Sequence, residues 1–327
     1  MDLLNYQKSV GRRFYYRLPL MATFLVLGAC YPKKPSAPKP ATLFRILSSD
    51  QTGINFINQL DYTEELNTYT YKNFYSGGGV GLGDINNDGL IDIFFSGNLL
   101  PSKLYLNKGG LRFEDISESS GLHMEGIWTT GVSLVDINAD GLLDIYLCKS
   151  GPPGGNRRHN ELFINNGDLT FTEKAKEYGL AFEGLSTHAA FFDYDKDGDL
   201  DGYLLNNSFR SVGGYDLRAG QRNLPDPLGG NKLLRNDNGA FKDVSEQAGI
   251  YTSEIGFGLG ITIGDLNKDG WPDMYVSMIF LKRITSTLII RMALSVRRWK
   301  IMSRKSVWVP WALIWPTSTM MVCQKFL

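Results

Sequence analysis

A chain of 327 residues with 43 % hydrophobic and 12 % aromatic content can bury a large core, and 36 glycines against 13 prolines point to tight turns, not a disordered or collagenous chain. The net charge of zero joins unlike parts: from Met278 onward there are nine Lys/Arg and no acid, which leaves residues 1–277 at minus nine. Three cysteines, Cys30, Cys148 and Cys323, are too few and too scattered for a disulfide framework or a zinc cluster.

The chain opens as an export signal. Lys8, Arg12, Arg13 and Arg17 precede an apolar run from Leu18 to Leu27, too short to span a ~30 Å hydrocarbon core as a helix. The run ends in Leu27-Gly-Ala-Cys30, which resembles the lipobox of bacterial lipoproteins, where the cysteine is lipidated and becomes the new N-terminus. The alternative is a plain secretory signal with an incidental cysteine. Residues 1–30 are therefore expected to be a lipoprotein signal. A proline- and lysine-rich tether over 31–43 would hold the body off the membrane. The expected place is the cell envelope, in its outer membrane, with Cys30 as the anchor.

The body from 44 to 277 is organised by an internal repeat. Four segments align on one loop: Asp84-Ile-Asn-Asn-Asp-Gly-Leu-Ile-Asp92, Asp136-Ile-Asn-Ala-Asp-Gly-Leu-Leu-Asp144, Asp193-Tyr-Asp-Lys-Asp-Gly-Asp-Leu-Asp201 and Asp265-Leu-Asn-Lys-Asp-Gly-Trp-Pro-Asp273. Small and apolar strands lie upstream (79–83, 131–135, 189–192, 260–264), and β-rich runs lie downstream at Ile93, Ile145, Tyr203 and Met274. In the first three units a third strand, a turn and a phenylalanine (Phe113, Phe171, Phe241) follow, and each unit closes on Gly121-Leu122, Gly179-Leu180 or Gly249-Ile250. Four short strands per unit of ~50–60 residues is the pattern of a propeller blade. The fold class expected is all-β, an incomplete propeller of about four blades.

The loop chemistry suits a hard divalent cation, which takes six to eight oxygens. Positions 1, 3, 5 and 9 supply them in each copy: Asp84, Asn86, Asp88 and Asp92; Asp136, Asn138, Asp140 and Asp144; Asp193, Asp195, Asp197 and Asp201; Asp265, Asn267, Asp269 and Asp273. Position 7 (Leu90, Leu142, Asp199, Trp271) can add its carbonyl, and glycine at position 6 permits the sharp turn. Ca²⁺ is the expected ion, bound most tightly by the third loop with its five aspartates. An EF-hand needs a bidentate Glu at position 12, where this chain has Phe95, Leu147, Leu204 and Val276. Metal-free Asx-turns are the remaining alternative for any single loop.

The glycine-rich strand, this loop and the Leu-Tyr/Phe-x-Asn…Gly…Phe tail resemble the FG-GAP (VCBS-type) repeats of integrin α-chain propellers. Among those they are most similar to the Bacteroidota-type lipoproteins of the cartilage acidic protein and ASPIC/UnbV-related group. The opening Thr52-Gly-Ile-Asn-Phe56…Asn73-Phe-Tyr-Ser-Gly-Gly-Gly79 fits the same group. The resemblance covers about 44–277. It implies a β-propeller, usually of seven blades, with calcium loops on one face and no agreed activity.

From Met278 the texture changes: 50 residues hold no glycine, yet four of six tryptophans and five of nine methionines. A basic amphipathic membrane segment is one reading. Shifting the frame back by one base forces glycine at Val309, Ala312 and Val322, alanine at Pro316 and aspartate at Met321, and it permits another acidic loop. Over 278–290 the same shift permits Asn-Asp-Phe-Leu-Glu-Lys-Asp-Tyr-Leu-Tyr-Ile-Asn-Asn, a third strand and turn. Residues 278–327 are thus expected to be an out-of-frame tail after a one-base loss near Ser277. A row cut at about four units would lack closure and expose an edge.

For function, a non-catalytic binding or adhesion module for a glycan or protein ligand is expected, with the insertion around 208–230 (Arg210, Tyr215, Arg218, Arg222) as candidate patch. The alternative, a glycan-active hydrolase or lyase, needs a constellation that His123, His159 and His188 do not form, and Cys148 reads as a buried strand residue. Nucleic acid is not an expected partner, because basic charge collects only in the tail.

Overall fold

In a computed structural model, the residues described are 44–71, 73–122, 128–151, 158–209, 224–250, 252–253, 256–280, 283–291 and 300–303, with side chains described as far as 278. The signal and Cys30, the tether, His123, the four named insertion residues and most of the tail lie outside them. Residues up to Leu47 form one unit and Ser48 onward another; the second is the body.

The first blade is β1 (Val80–Gly83), β2 (Asp92–Phe95), β3 (Lys103–Asn107) and β4 (Phe113–Asp115), antiparallel in chain order. The second repeats it with β5 (Thr129–Val135), β6 (Asp144–Lys149), β7 (Glu161–Asn165) and β8 (Phe171–Glu173). The third is β9 (Leu185–Phe192), β10 (Asp201–Asn207), β11 (Lys232–Asn236) and β12 (Phe241–Asp243). The fourth is β13 (Gly256–Gly264), β14 (Asp273–Phe280), β15 (Arg283–Arg291) and β16 (Lys300–Ser303); it is tied to the third through the pair Asn207 and Phe257. Among the described residues there are also two one-turn helices, α1 (Ser49–Thr52) and α2 (Ala175–Tyr178). The fold is nearly all-β, a row of four-stranded blades that makes an incomplete propeller.

The core lies between blades. Phe94, Leu104 and Leu106 of the first blade pack on Val132, Ile145, Leu147 and Phe163 of the second. Tyr146, Leu162 and Ile164 of the second meet Ala189, Leu204 and Leu234 of the third, and Tyr203, Leu205 and Leu233 of the third meet Met274, Val276 and Met278. Period-2 alternation therefore buries both faces of an inner blade, each against a different neighbour.

The inner strands β5, β9 and β13 begin before the glycine-rich runs that mark them in the sequence. The added residues are bound across blades: Thr130 Oγ1 donates to Ser186 O (2.7 Å) and Cys148 O (3.1 Å). Gly131 is required by this close approach, because a Cβ there would lie 2.5 Å from Thr187 O and 2.8 Å from His188 Cα. Gly131→Ala is expected to cost about 1–3 kcal/mol, read as a lower denaturation midpoint with unchanged far-UV dichroism.

Candidate metal loops

Each acidic loop joins the first and second strands of its blade, so all four occupy equivalent ends. Their backbones agree: position 6 is left-handed at Gly89, Gly141, Gly198 and Gly270 (φ 84°, 86°, 99° and 83°). Position 4 is left-handed as well, at Asn87, Ala139, Lys196 and Lys268 (φ 58°, 57°, 62° and 61°). Three residue types share the position, so the motif did not reveal it.

Position 9 has a second role that the sequence reading missed. Asp92, Asp144, Asp201 and Asp273 are all buried. One oxygen of each accepts the N–H of position 2: Ile85 (3.0 Å), Ile137 (3.1 Å), Tyr194 (3.0 Å) and Leu266 (3.0 Å). In three blades the other oxygen accepts the N–H of the third-strand asparagine: Asn107 (2.7 Å), Asn165 (2.8 Å) and Asn236 (2.9 Å). Those asparagines accept a turn glycine N–H in return, at Gly109, Gly167 and Gly239. The Leu-x-x-Asn…Gly signature is thus a hydrogen-bonded clasp between loop and third strand. Burial raises these carboxyls: Asp92 upward, Asp144 to about 6 and Asp201 to about 7, opposed by the two backbone donors and assisted by neighbouring carboxylates.

The remaining positions behave differently in the third loop. In the first, second and fourth, position 1 accepts two backbone N–H groups: Asp84 from Asp88 and Gly89, Asp136 from Asp140 and Gly141, Asp265 from Asp269 and Gly270. Asparagine at position 3 donates to position 5 in two of them, Asn86 to Asp88 (3.1 Å) and Asn138 to Asp140 (2.8 Å). In the third loop Asp195 replaces that asparagine and no donor is available. Oxygens of Asp193, Asp195 and Asp197 lie within 4.8 Å of one another, and Asp193 Oδ1, Asp195 Oδ1 and Asp199 Oδ1 are buried without a hydrogen-bond partner. Uncompensated buried carboxylate oxygens are costly, and a divalent cation is the group that this all-oxygen set fits. Asp195 and Asp199 are held above the usual carboxylate range, by burial first and by their acidic neighbours next.

Adjacent loops also touch. Asn87 Nδ2 donates to Gly141 O (3.0 Å), and Lys196 Nζ sits 4.0 Å from the Trp271 ring centroid. Trp271, singled out for its carbonyl, is thus also a cation–π partner of the third loop.

Outside the loops, His188 lies inside β9, and burial lowers its pKa. Cys148 is buried in β6 and its thiol is pushed well up by burial. Lys149 is buried and paired with Glu161 (2.8 Å), burial lowering its pKa against that attraction. The described end of the insertion borders an open cavity of about 670 Å³ lined by Pro225, Asp226, Lys232, Asp243 and Glu246.

Repeated four-stranded blades, each with an acidic nine-residue loop between its first two strands, define a propeller-repeat protein. The FG-GAP-like repeat profile matches residues 84–147 and 219–276. Cartilage acidic protein 1 of Xenopus tropicalis is 28 % identical over 238 residues, 71 % of this chain and 33 % of that protein. Its human counterpart is 28 % identical over 209 residues, 62 % of this chain and 28 % of that protein. The chain carries FG-GAP-like repeats over those residues, and it spans about a third of the length of the curated relatives that it matches.

Proposed function

We propose that this chain is a calcium-stabilised binding or adhesion module of the cell envelope, without catalytic activity, for a glycan or protein ligand. FG-GAP repeats belong to modules of that kind, which supports the coarse assignment. The observation that carries the calcium reading is the third loop, where three buried carboxylate oxygens lack any donor. Ca²⁺ there would be held by Asp193, Asp195, Asp197 and Asp201 with a carbonyl at Asp199, and by the matching residues in the other loops. Its chemistry is structural: it cancels the repulsion among carboxylates and fixes each hairpin. Isothermal titration with Ca²⁺ checks this. Heat should appear first at a site that Asp195→Asn weakens toward the other three loops, and a chain that takes up no Ca²⁺ sinks the reading.

Attachment would run through Cys30. With the signal intact, labelled palmitate is expected to enter the wild-type chain and not Cys30→Ser, which should leave the membrane fraction. Ligand specificity would come from loops at the strand ends away from the acidic loops, including the 208–230 insertion. The tail from Met278 is best read as out of frame; resequencing the locus tests it, and an intact frame without downstream repeats sinks it.

A further inference from the structure

The acidic loops stand at equivalent ends of successive blades, and position 4 joins two of the three neighbouring pairs. Asn87 of the first loop donates its Nδ2 to Gly141 O of the second (3.0 Å). Lys196 of the third loop lays its ammonium group 4.0 Å from the ring centroid of Trp271 in the fourth. Each contact reaches position 6 or 7 of the next loop, beside or on the residue whose carbonyl is the expected ligand. Each starts from a left-handed residue (φ 58° and 62°) set between the expected ligands at positions 3 and 5. The second loop has Ala139 at this place (φ 57°), and a methyl group can neither donate nor hold a ring.

A second set of bonds divides the row at the same point. Asn165, the clasp asparagine of the second blade, donates Nδ2 to Ile85 O in the first loop (2.8 Å) and to Leu143 O in its own (3.2 Å). Asn236, its counterpart in the third blade, donates to Leu200 O of its own loop (3.2 Å). The N–H of Ile85 is held by Asp92 and that of Asn165 by Asp144. The first and second loops are thus one hydrogen-bonded unit from clasp to clasp. Toward the third loop, the matching side chains are an alanine and an asparagine turned to its own blade.

We propose that the loops take up calcium as two coupled pairs, first with second and third with fourth, and that Ala139 separates the pairs. This rests on the calcium reading of the loops and adds how the sites influence one another. The cause is shared ordering. An ion that fixes one loop also fixes its position-4 side chain against the next, so the neighbour has less freedom left to lose. One exposed hydrogen bond or cation–π contact limits the coupling to roughly three- to tenfold in affinity, and linkage makes it equal in both directions.

Hydrogen exchange of the full chain across a calcium series, read by mass spectrometry, gives each loop its own midpoint from peptides spanning 84–92, 136–144, 193–201 and 265–273. Asp84→Ala removes a ligand of the first loop; it should raise the second loop's midpoint roughly three- to tenfold and leave the third's unchanged. Asp136→Ala should raise the first loop's midpoint by the same factor. Asn87→Gly keeps every expected ligand and the left-handed turn, and it should still raise the second loop's midpoint by at least about twofold. Trp271→Leu gives the fourth loop the residue that the first two carry, with no change of charge, and should raise the third loop's midpoint. An unchanged third loop in that variant overturns the second pair. A second-loop shift below about twofold in both Asp84→Ala and Asn87→Gly overturns the first pair while calcium binding stands. A third-loop midpoint that moves with the second in those variants also overturns the pairing, since it marks a loss of stability across the whole body. Exchange that calcium alters in no loop overturns the calcium reading and the pairing together.

Discussion

Asp144→Ala is expected to be the most damaging single substitution in a loop, with or without calcium. Removal of its carboxylate strands the buried N–H groups of Ile137 and Asn165. Each stranded donor costs about 1–3 kcal/mol, and the emptied space adds to that. A loss of roughly 3–6 kcal/mol is a large part of a typical domain's stability. Asp144→Asn keeps one acceptor and turns an amide NH₂ toward a backbone N–H, so about half the loss is expected. Urea melts in chelator separate this role from metal binding. If Asp144 acted only as a ligand, both variants would match wild type once calcium is removed. Asp84→Ala is the control: exposed N–H groups at Asp88 and Gly89 can turn to water, so its cost should appear mainly with calcium present.

The contrast between those two aspartates marks what the sequence could disclose. Alternate acidic positions around a glycine, four times in register, were enough to place the loops between strands one and two, since that spacing serves a hard cation and no helix flanks it. Blade order followed from the same repeat. The clasp was not legible, because an aspartate that binds backbone and one that binds metal are the same letter. Nor was left-handed position 4, where the amide of Asn87, the methyl of Ala139 and the ammonium groups of Lys196 and Lys268 share one conformation. The early starts of β5 and β9 were hidden for a related reason. Thr130 and Ser186 look like loop residues, and they enter strands because they bond to each other across blades.

The largest solution effect expected is an inversion of the pH dependence of stability by calcium. Asp144 and Asp201 have folded pKa values of about 6 and about 7, raised chiefly by burial, against about 3.9 in an unfolded chain. Between those limits the folded state holds protons that the unfolded state has released. Stability therefore falls as pH rises through that window, with the loss complete above about 7. In chelator the melting temperature should be higher at pH 5.5 than at pH 8. Calcium competes with the same protons for the same oxygens, so its benefit should be greatest at pH 8 and shrink toward pH 5. At a hundredfold excess over its dissociation constant each site adds about 2.7 kcal/mol, and a body of this size gains roughly 2–4 °C per kcal/mol. Even one occupied loop should outweigh the acid advantage in part, and several should reverse it. Melting curves at pH 5.5 and 8, each with calcium and with chelator, decide the matter. Identical pH slopes in the two media would mean that the ion and the protons do not meet at these carboxylates, and the loops would then be turns held by their clasps alone.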